Sequence, residues 1–523
     1  MSTEQTAPGR RLVVVSNRLP FRAERKGSAL TFTRSPGGLV SALEPALHER
    51  GGTWIGWPGI PQEDLEAARS TRFPHDGNVR YAPVDLSAAE VSAYYGGFSN
   101  RTLWPLFHYF VSRTTIDAAT WRVYDAVNER FAQAAEPHAT RDALVWVHDY
   151  QLLRVPYHLR RLAPESRVAF FLHIPFPATD VLRVLPWARL LLRGMLGADY
   201  VAFHVDAYAR HFLDAAERLL GCEVDHAART VQFEAREVSV GVQPISIDVD
   251  AVVALAGRGG PRLRTGDRSR EILGVDRLDY TKGIPERLAA VERLFERHPE
   301  YRGRVAFTQV LVPSRERVAE YSQLKRQLDE MVGRINGRFS EPGWVPIRYL
   351  VRSLPPDRLM RMYRDADVAL VTPLRDGMNL VAKEYVMAQV HHAGVLVLSE
   401  LAGAAEELQE ALIVNPFDVD AVADALHRAL AMSDDERRTR MAALRDRVRS
   451  HDVHAWVRGF LAAADRAHAA AARSPSPLDT VRRRLGPWLA ERRSVAVFLD
   501  YDGTLTPIAP RPADAVLSDQ ARE

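Results

Sequence analysis

Short apolar runs of strand length recur along the chain, and each is followed by an amphipathic stretch of helical length. Arg11–Ser16 reads RLVVVS, and similar runs cover Ala143–Val147, Val168–His173, Tyr200–Phe203, Arg270–Gly274, Arg304–Val310, Val368–Val371 and Gly394–Ser399. Helical patterns such as Asp206–Leu220 and Pro285–Arg297 lie between them. This alternation predicts an α/β chain with parallel sheets of the doubly wound type. Ligands of such sheets bind beyond the carboxyl ends of the strands, so functional residues are expected in the loops that follow these runs.

The runs fall into two groups. The first ends near Ile247, where Gly241-Val-Gln-Pro244 leads into IDVDAVVAL, and a polar Gly/Arg stretch, Gly257–Arg270, precedes the second. Two Rossmann-like domains facing each other across a cleft are expected, over residues 1–247 and 248–473. The Ala-rich tail Val453–Arg473 is expected to pack across both. Ser474-Pro-Ser-Pro477 opens a linker, 474–494, before a last segment, 495–523.

Composition removes several classes. With 69 basic against 66 acidic residues and a net charge of +3, the chain has no nucleic-acid footprint. No stretch reaches the roughly 20 apolar residues of a membrane helix, and the apolar run Leu12–Val15 is too short for a signal-peptide core. The single cysteine, Cys222, allows no internal disulfide or Cys-based metal cage and suits the cytoplasm. G-x-G-x-x-G and G-x-x-x-x-G-K-[ST] are absent, so a dinucleotide-dependent dehydrogenase and a P-loop kinase are disfavoured, and H-E-x-x-H is also missing. No cofactor or metal is expected. Oligomeric state is not legible, and a homo-oligomer is left open.

The candidate chemistry sits after the predicted strands. Asp376-Gly-Met-Asn-Leu-Val-Ala-Lys-Glu384 follows Val368–Val371 and opens a helix, whose N-terminal N–H groups suit a diphosphate and whose Glu384 could accept from ribose hydroxyls. Val275-Asp-Arg277-Leu-Asp-Tyr-Thr-Lys282-Gly reads as a loop directly after Ile272–Gly274, with two cations able to bracket a diphosphate. Arg18 ends the first run, and Gly37-Gly38 allows close backbone approach. Trp57, Tyr95 and Trp104 are rings able to stack on a sugar. Asp149 and His173 each end a run, and Arg315 is a further phosphate cation.

Together the strings VVVSNRLP, SPGGLVSAL, WIGWPG, YYGGFSN, LWPLFHY, VWVHDYQLL, FFLHIPFP, GVDRLDYTKGIPERL, PSR, RINGRFS and VTPLRDGMNLVAKEYV resemble the trehalose-6-phosphate synthase family, retaining glucosyltransferases of the two-domain GT-B type. The resemblance covers about Arg11 to Ala470. It implies transfer of glucose from UDP-, GDP- or ADP-glucose to glucose 6-phosphate without a metal. It also implies roles. Arg277, Lys282 and the backbone at Leu380-Val381 would hold the donor diphosphate, and Glu384 the ribose. Asp376, His173 and the Gly37-Gly38 loop would surround the donor glucose. Arg18, Trp57, Tyr95, Trp104, Asp149 and Arg315 would bind the acceptor. Asp149, His173, Arg277, Lys282 and Asp376 form the implied catalytic set. Gln151 stands where the family often has His, and the loop Pro20–Ser35 is longer than in the shortest members.

Near the end, Val495–Thr506 resembles the first motif of haloacid-dehalogenase phosphatases, with Asp500 as nucleophile, Asp502 as acid/base and Mg²⁺ as partner. Further motifs of that family are lacking, so no phosphatase activity is expected, and the segment reads as the start of a longer synthase–phosphatase fusion. Two rival functions remain: a glucosylglycerol-phosphate synthase, and a silent subunit that senses sugar phosphates. The presence of Arg277, Lys282, Asp376 and Glu384 argues against the second.

Overall fold

The computed structural model describes residues 11–26, 29–34, 38–66, 77–258, 270–313, 319–390 and 394–471. The expectations for Gly37, Arg315 and residues 474–523 lie outside these residues.

Among the described residues, eleven strands precede residue 243: β1 (Arg11–Arg18), β2 (Phe21–Lys26), β3 (Ala29–Arg34), β4 (Gly52–Trp57), β5 (Val79–Pro83), β6 (Ala143–His148), β7 (Arg167–Phe171), β8 (Tyr200–Phe203), β9 (Glu223–Asp225), β10 (Thr230–Phe233) and β11 (Arg236–Val242). Nine of them form one sheet, ordered β5-β4-β1-β6-β7-β8-β11-β10-β9. All its pairs are parallel except β10 with β11 and with β9. The second sheet holds β12 (Arg270–Arg277), β13 (Val305–Val312), β14 (Ile347–Val351), β15 (Val368–Val371), β16 (Val395–Ser399) and β17 (Leu412–Val414), ordered β14-β13-β12-β15-β16-β17. Every pair in it is parallel. In each sheet the first long strand lies third in the order, and the order reverses beside it, between β1 and β6 and between β12 and β15. That reversal is the switch point at which doubly wound sheets leave a crevice.

The apolar runs form strands for the expected reason. β6 is buried at every residue, as are β8, β15 and β16, so each lies between helical layers. Three expectations need correction. Pro20–Ser35 is not a loop: its described part is a hairpin of β2 and β3, held by antiparallel pairing from Phe21↔Arg34 to Lys26↔Ala29. Arg277 is not in a loop after Gly274. It is the last residue of β12, because the β13 partner runs on to Val312 and extends the ladder. The final helix, Val453–Ala471, packs chiefly on the first sheet: Trp456 and Phe460 meet Trp146 at ring distances of 5.3 and 4.0 Å, and Trp456 Nε1 donates to the Gln243 carbonyl at 3.1 Å.

Both sheets and this helix belong to one compact unit. Direct contacts close the gap between the sheets. Lys383 Nζ, 1% exposed, donates to the Ile245 carbonyl at 2.9 Å and pairs with Glu407 at 2.6 Å. Tyr208 donates to the Asp376 carbonyl at 3.3 Å. A Cβ at Gly377 would stand 2.4 Å from the His173 carbonyl oxygen, so only glycine lets these two loops touch.

Candidate active site

The first wall is built from the carboxyl ends of β1, β4, β6 and β7. Arg18 and Trp57 are register partners at the ends of β1 and β4. The Arg18 guanidinium lies 4.6 Å from the Trp57 ring centre and 5.5 Å from that of Tyr95. A cation held over aromatic rings in this way is oriented by them, and a guanidinium's N–H groups suit an anion. Trp57 Nε1 donates to the Ile60 carbonyl at 2.8 Å, which fixes the indole. Tyr95 belongs to a π-helix, Val91–Leu103, that runs directly into Trp104, whose N–H bonds Ser99 five residues back. The Trp104 ring packs 4.2 Å from His108 and 5.6 Å from Tyr150.

Asp149 follows β6 in a left-handed conformation, φ 74°. Its N–H reaches the Phe171 carbonyl at 2.8 Å, and its Oδ1 accepts from the His173 N–H at 3.1 Å. A non-glycine residue held there is a local cost that functional sites often carry. It ties the two strand-end loops together. Behind them, His148 Nδ1 lies 3.1 Å from His173 Nε2.

The second wall is charged. Lys282, in the turn after β12, pairs with Asp376, which follows β15, at 2.5 Å. Asn379 Nδ2 donates to the same carboxylate oxygen at 3.0 Å. Burial works to raise the Asp376 carboxyl, but Lys282, His108 and Asn379 outweigh it and hold it below the usual carboxylate value. Under the turn, the fully buried Arg287 bonds Asp276, Gln309 at 3.0 Å and Thr372 at 3.1 Å, and reaches the Lys282 carbonyl at 3.3 Å. The helix here is Leu380–Ala388, capped by Asn379 (φ 84°) through a bond from the Ala382 N–H. Asp376 therefore stands ahead of the helix, and Leu380 and Val381 are its first two residues. Burial pushes Glu384, one turn further on, up to about 7, with Tyr363 working in the opposite direction.

The two walls meet. A cavity of about 230 Å³ is lined by Tyr95, Trp104, Asp149 and His173 on one side and by Arg277, Lys282 and Asp376 on the other. The Arg277 guanidinium lies 5.5 Å from the Trp104 ring centre, across the gap. Seven sequence-derived residues thus share one space. Arg18 and Trp57 adjoin it through Tyr95. Leu380, Val381 and Glu384 lie on the helix behind Asp376 and do not line this cavity. Gly38 starts the helix Gly38–Arg50. Gln151, noted only as a departure from the family's His, lines the cavity too, as do His108, Tyr150, Ile174 and Gly377, to which no role was given. His148 was likewise passed over: beside Asp149 in VHDY it reads as the end of an apolar strand. Asn379 lay inside the quoted string, but its capping role shows only in the backbone.

Among the described residues, His298, Glu300 and His427 offer ligand atoms within 4.8 Å of one another. They sit at the far end of the helix Ile284–Arg297, opposite the strand carboxyl ends. The two imidazoles stack at 3.8 Å and 4°, which keeps their lone pairs parallel instead of convergent. The cleft chemistry does not involve them. No described helix is long and apolar enough to cross a membrane.

Two doubly wound sheets with a cation-lined cleft between their carboxyl ends define a GT-B glycosyltransferase. Residues 10–466 match the model of glycosyltransferase family 20. The chain belongs to that family. It is 43% identical over 528 residues to a bifunctional trehalose-6-phosphate synthase/phosphatase of Thermoproteus tenax, covering 97% of this chain and 71% of that protein. It is 46% identical over 464 residues to a trehalose-6-phosphate synthase of Mycobacterium avium, covering 86% and 94%. A crystal structure of a UDP-forming α,α-trehalose-phosphate synthase from Burkholderia vietnamiensis superposes with a TM-score of 0.81 at 40% identity, over 88% of this chain and 98% of that one.

Proposed function

We propose that the chain transfers glucose from UDP-glucose to glucose 6-phosphate, giving α,α-trehalose 6-phosphate with the donor's anomeric configuration kept. The observation that carries this is a cation held on each side of the cleft: Arg18 beside the Trp57 and Tyr95 rings on one wall, Arg277 and Lys282 on the other. Two phosphorylated reactants call for positive charge on both sides. Trp57, Tyr95 and Trp104 provide aromatic faces for a hexose, which favours glucose 6-phosphate over glycerol 3-phosphate.

In this reading Arg277 and Lys282 neutralise the charge that grows on the leaving diphosphate, and the N–H groups of Leu380 and Val381 add the helix end. The bond from donor C1 to the phosphate oxygen breaks. The bond from C1 to the acceptor's anomeric oxygen forms on the same face, and the acceptor's proton passes to the departing phosphate oxygen. Lys282 moves from Asp376 toward the diphosphate, freeing the Asp376 carboxylate to accept from a sugar hydroxyl. Asp149 orients the acceptor, and Glu384 accepts from the ribose. The contact of Tyr208 with the Asp376 carbonyl holds the Asp376 loop against the first wall's domain.

UDP as the nucleotide rests on the UDP-forming relative. Division at residue 247 is supported by the strands themselves, since β11 ends at Val242 and β12 begins at Arg270. A cytoplasmic setting is favoured by the composition and by the free, half-buried Cys222. The test is nucleotide release from UDP-, GDP- and ADP-glucose, each with glucose 6-phosphate or glycerol 3-phosphate. We expect UDP-glucose with glucose 6-phosphate to be fastest. Release that ignores the acceptor would overturn the assignment.

A further inference from the structure

His148 is fully buried yet has no place in the chemistry above. It ends β6, one residue before Asp149, and its ring is walled by Trp146 at 4.7 Å, with Trp456 and Phe460 of the final helix packed behind that indole. Its Nδ1 faces His173 Nε2 at 3.1 Å, and among the described residues its Nε2 has no hydrogen-bond partner. Burial lowers His148 to about 3 and His173 well below its ordinary value, so both rings are neutral near pH 7.

Two neutral imidazoles that share one hydrogen bond hold one proton between the facing nitrogens, and this couples their tautomers. If His173 donated from Nε2, the remaining proton of His148 would sit on Nε2, a stranded N–H against an apolar wall. If His148 donates from Nδ1, its Nε2 is a bare lone pair instead. Buried orphan donors are rarer than under-satisfied acceptors, so the second arrangement wins. His173 then carries its own proton on Nδ1. Its backbone N–H is already fixed by Asp149 Oδ1, so ring position and proton position are both set from behind.

We propose that His148 is a positioning residue that locks His173 as the Nδ1–H tautomer, so that the cleft ring meets the donor sugar as a neutral hydrogen-bond donor. The role rests on the glucosyl-transfer reading, in which His173 faces the donor glucose. It makes the residue before Asp149 a determinant of turnover although it touches no substrate.

The test joins kinetics to a spectroscopic readout. Asn places an amide N–H where Nδ1 of His stands, whereas Phe fills the ring volume with no donor. We expect His148→Asn to stay within about fivefold of wild-type kcat. We expect His148→Phe to lose roughly 30-fold in kcat, the size of one lost hydrogen bond in a desolvated site, with KM for glucose 6-phosphate unchanged. ¹⁵N imidazole spectra of the free wild-type protein, assigned by difference with His173→Gln, should show His173 protonated on Nδ1. An Nε2–H signal from His173 overturns the proposal whatever the rates, and it is decisive even if His148→Phe does not fold. So does a folded His148→Phe with wild-type turnover, or an Asn variant as slow as Phe. A wild-type protein that keeps the Nδ1–H signal but transfers no glucose would instead count against the function.

Discussion

The two walls of the cleft are made by the same strand order but by different chemistry. The first wall is aromatic: Arg18 is held between Trp57 and Tyr95, and Trp104 rests on His108 and Tyr150. The Trp57 indole there is fixed by a hydrogen bond to the Ile60 carbonyl at 2.8 Å. The second wall is ionic: Lys282 with Asp376 in the cleft, and Arg287 with Asp276 buried below. A rigid aromatic wall suits recognition of a hexose that must be placed but not broken down. An ionic wall suits the partner that must leave as a diphosphate, because charge that grows in the transition state is best met by charge already in place. Substitutions at Arg18, Trp57 and Tyr95 should therefore separate from those on the ionic wall, the former moving acceptor KM and the latter kcat and donor KM; His173, which faces the donor glucose from the first wall, and His148 behind it belong with the latter.

The largest effect is expected from Arg277→Ala. We expect about a thousandfold loss in kcat/KM for the donor with a thermal midpoint close to wild type, read by nucleotide release and a melting scan. An active variant would remove the ionic wall from the chemistry. Beneath it, Arg287→Met leaves the Asp276 carboxylate buried without its partner. A loss of about 3 to 5 kcal/mol in unfolding free energy is expected from denaturant titration.

On the first wall, Arg18→Ala should raise KM for glucose 6-phosphate roughly 30-fold while donor KM holds, the size of a lost charge-assisted bond. A smaller effect belongs to Glu384. Its carboxyl titrates at about 7, so it is mostly protonated below that pH and ionised above it. The ionised form accepts better from a ribose diol, so donor KM should fall as pH rises from 6 to 8. Glu384→Gln should flatten that part of the profile. The folded value lies above the ordinary 4.5, so the free protein loses stability as pH climbs from 4.5 to about 7, and the loss levels off above that. Bound nucleotide should accordingly raise the melting midpoint more at pH 8 than at pH 6.

The contrast between walls also marks what the sequence could tell. Strands buried on both faces, such as Val368–Val371, declare themselves because nothing polar interrupts them. Edge or half-exposed strands do not: β5 (VRYAP), β14 (IRYLV) and the β2–β3 hairpin mix charges and rings, and their pairing is decided by neighbours far along the chain. The site residues were legible because they follow apolar runs in a fixed order. Their contacts were not. That Arg18 stacks on Trp57 depends on the β1–β4 register, and that Trp104 faces Arg277 depends on how two separate sheets meet. The π-helical pitch from Val91 to Leu103, which carries Tyr95 toward Trp104, has no periodicity signal of its own. His148 escaped notice because its partner, His173, is 25 residues away, just beyond the end of the next strand.

The claim under all of this is that the aromatic wall reads the acceptor's phosphate through Arg18 while the ionic wall works on the donor. Its most direct test is UDP release by wild type and Arg18→Ala, each with glucose 6-phosphate and with unphosphorylated glucose. We expect the variant to lose roughly 30-fold in kcat/KM with glucose 6-phosphate and to match the wild type's weak rate with glucose. Equal losses with both acceptors would contradict it.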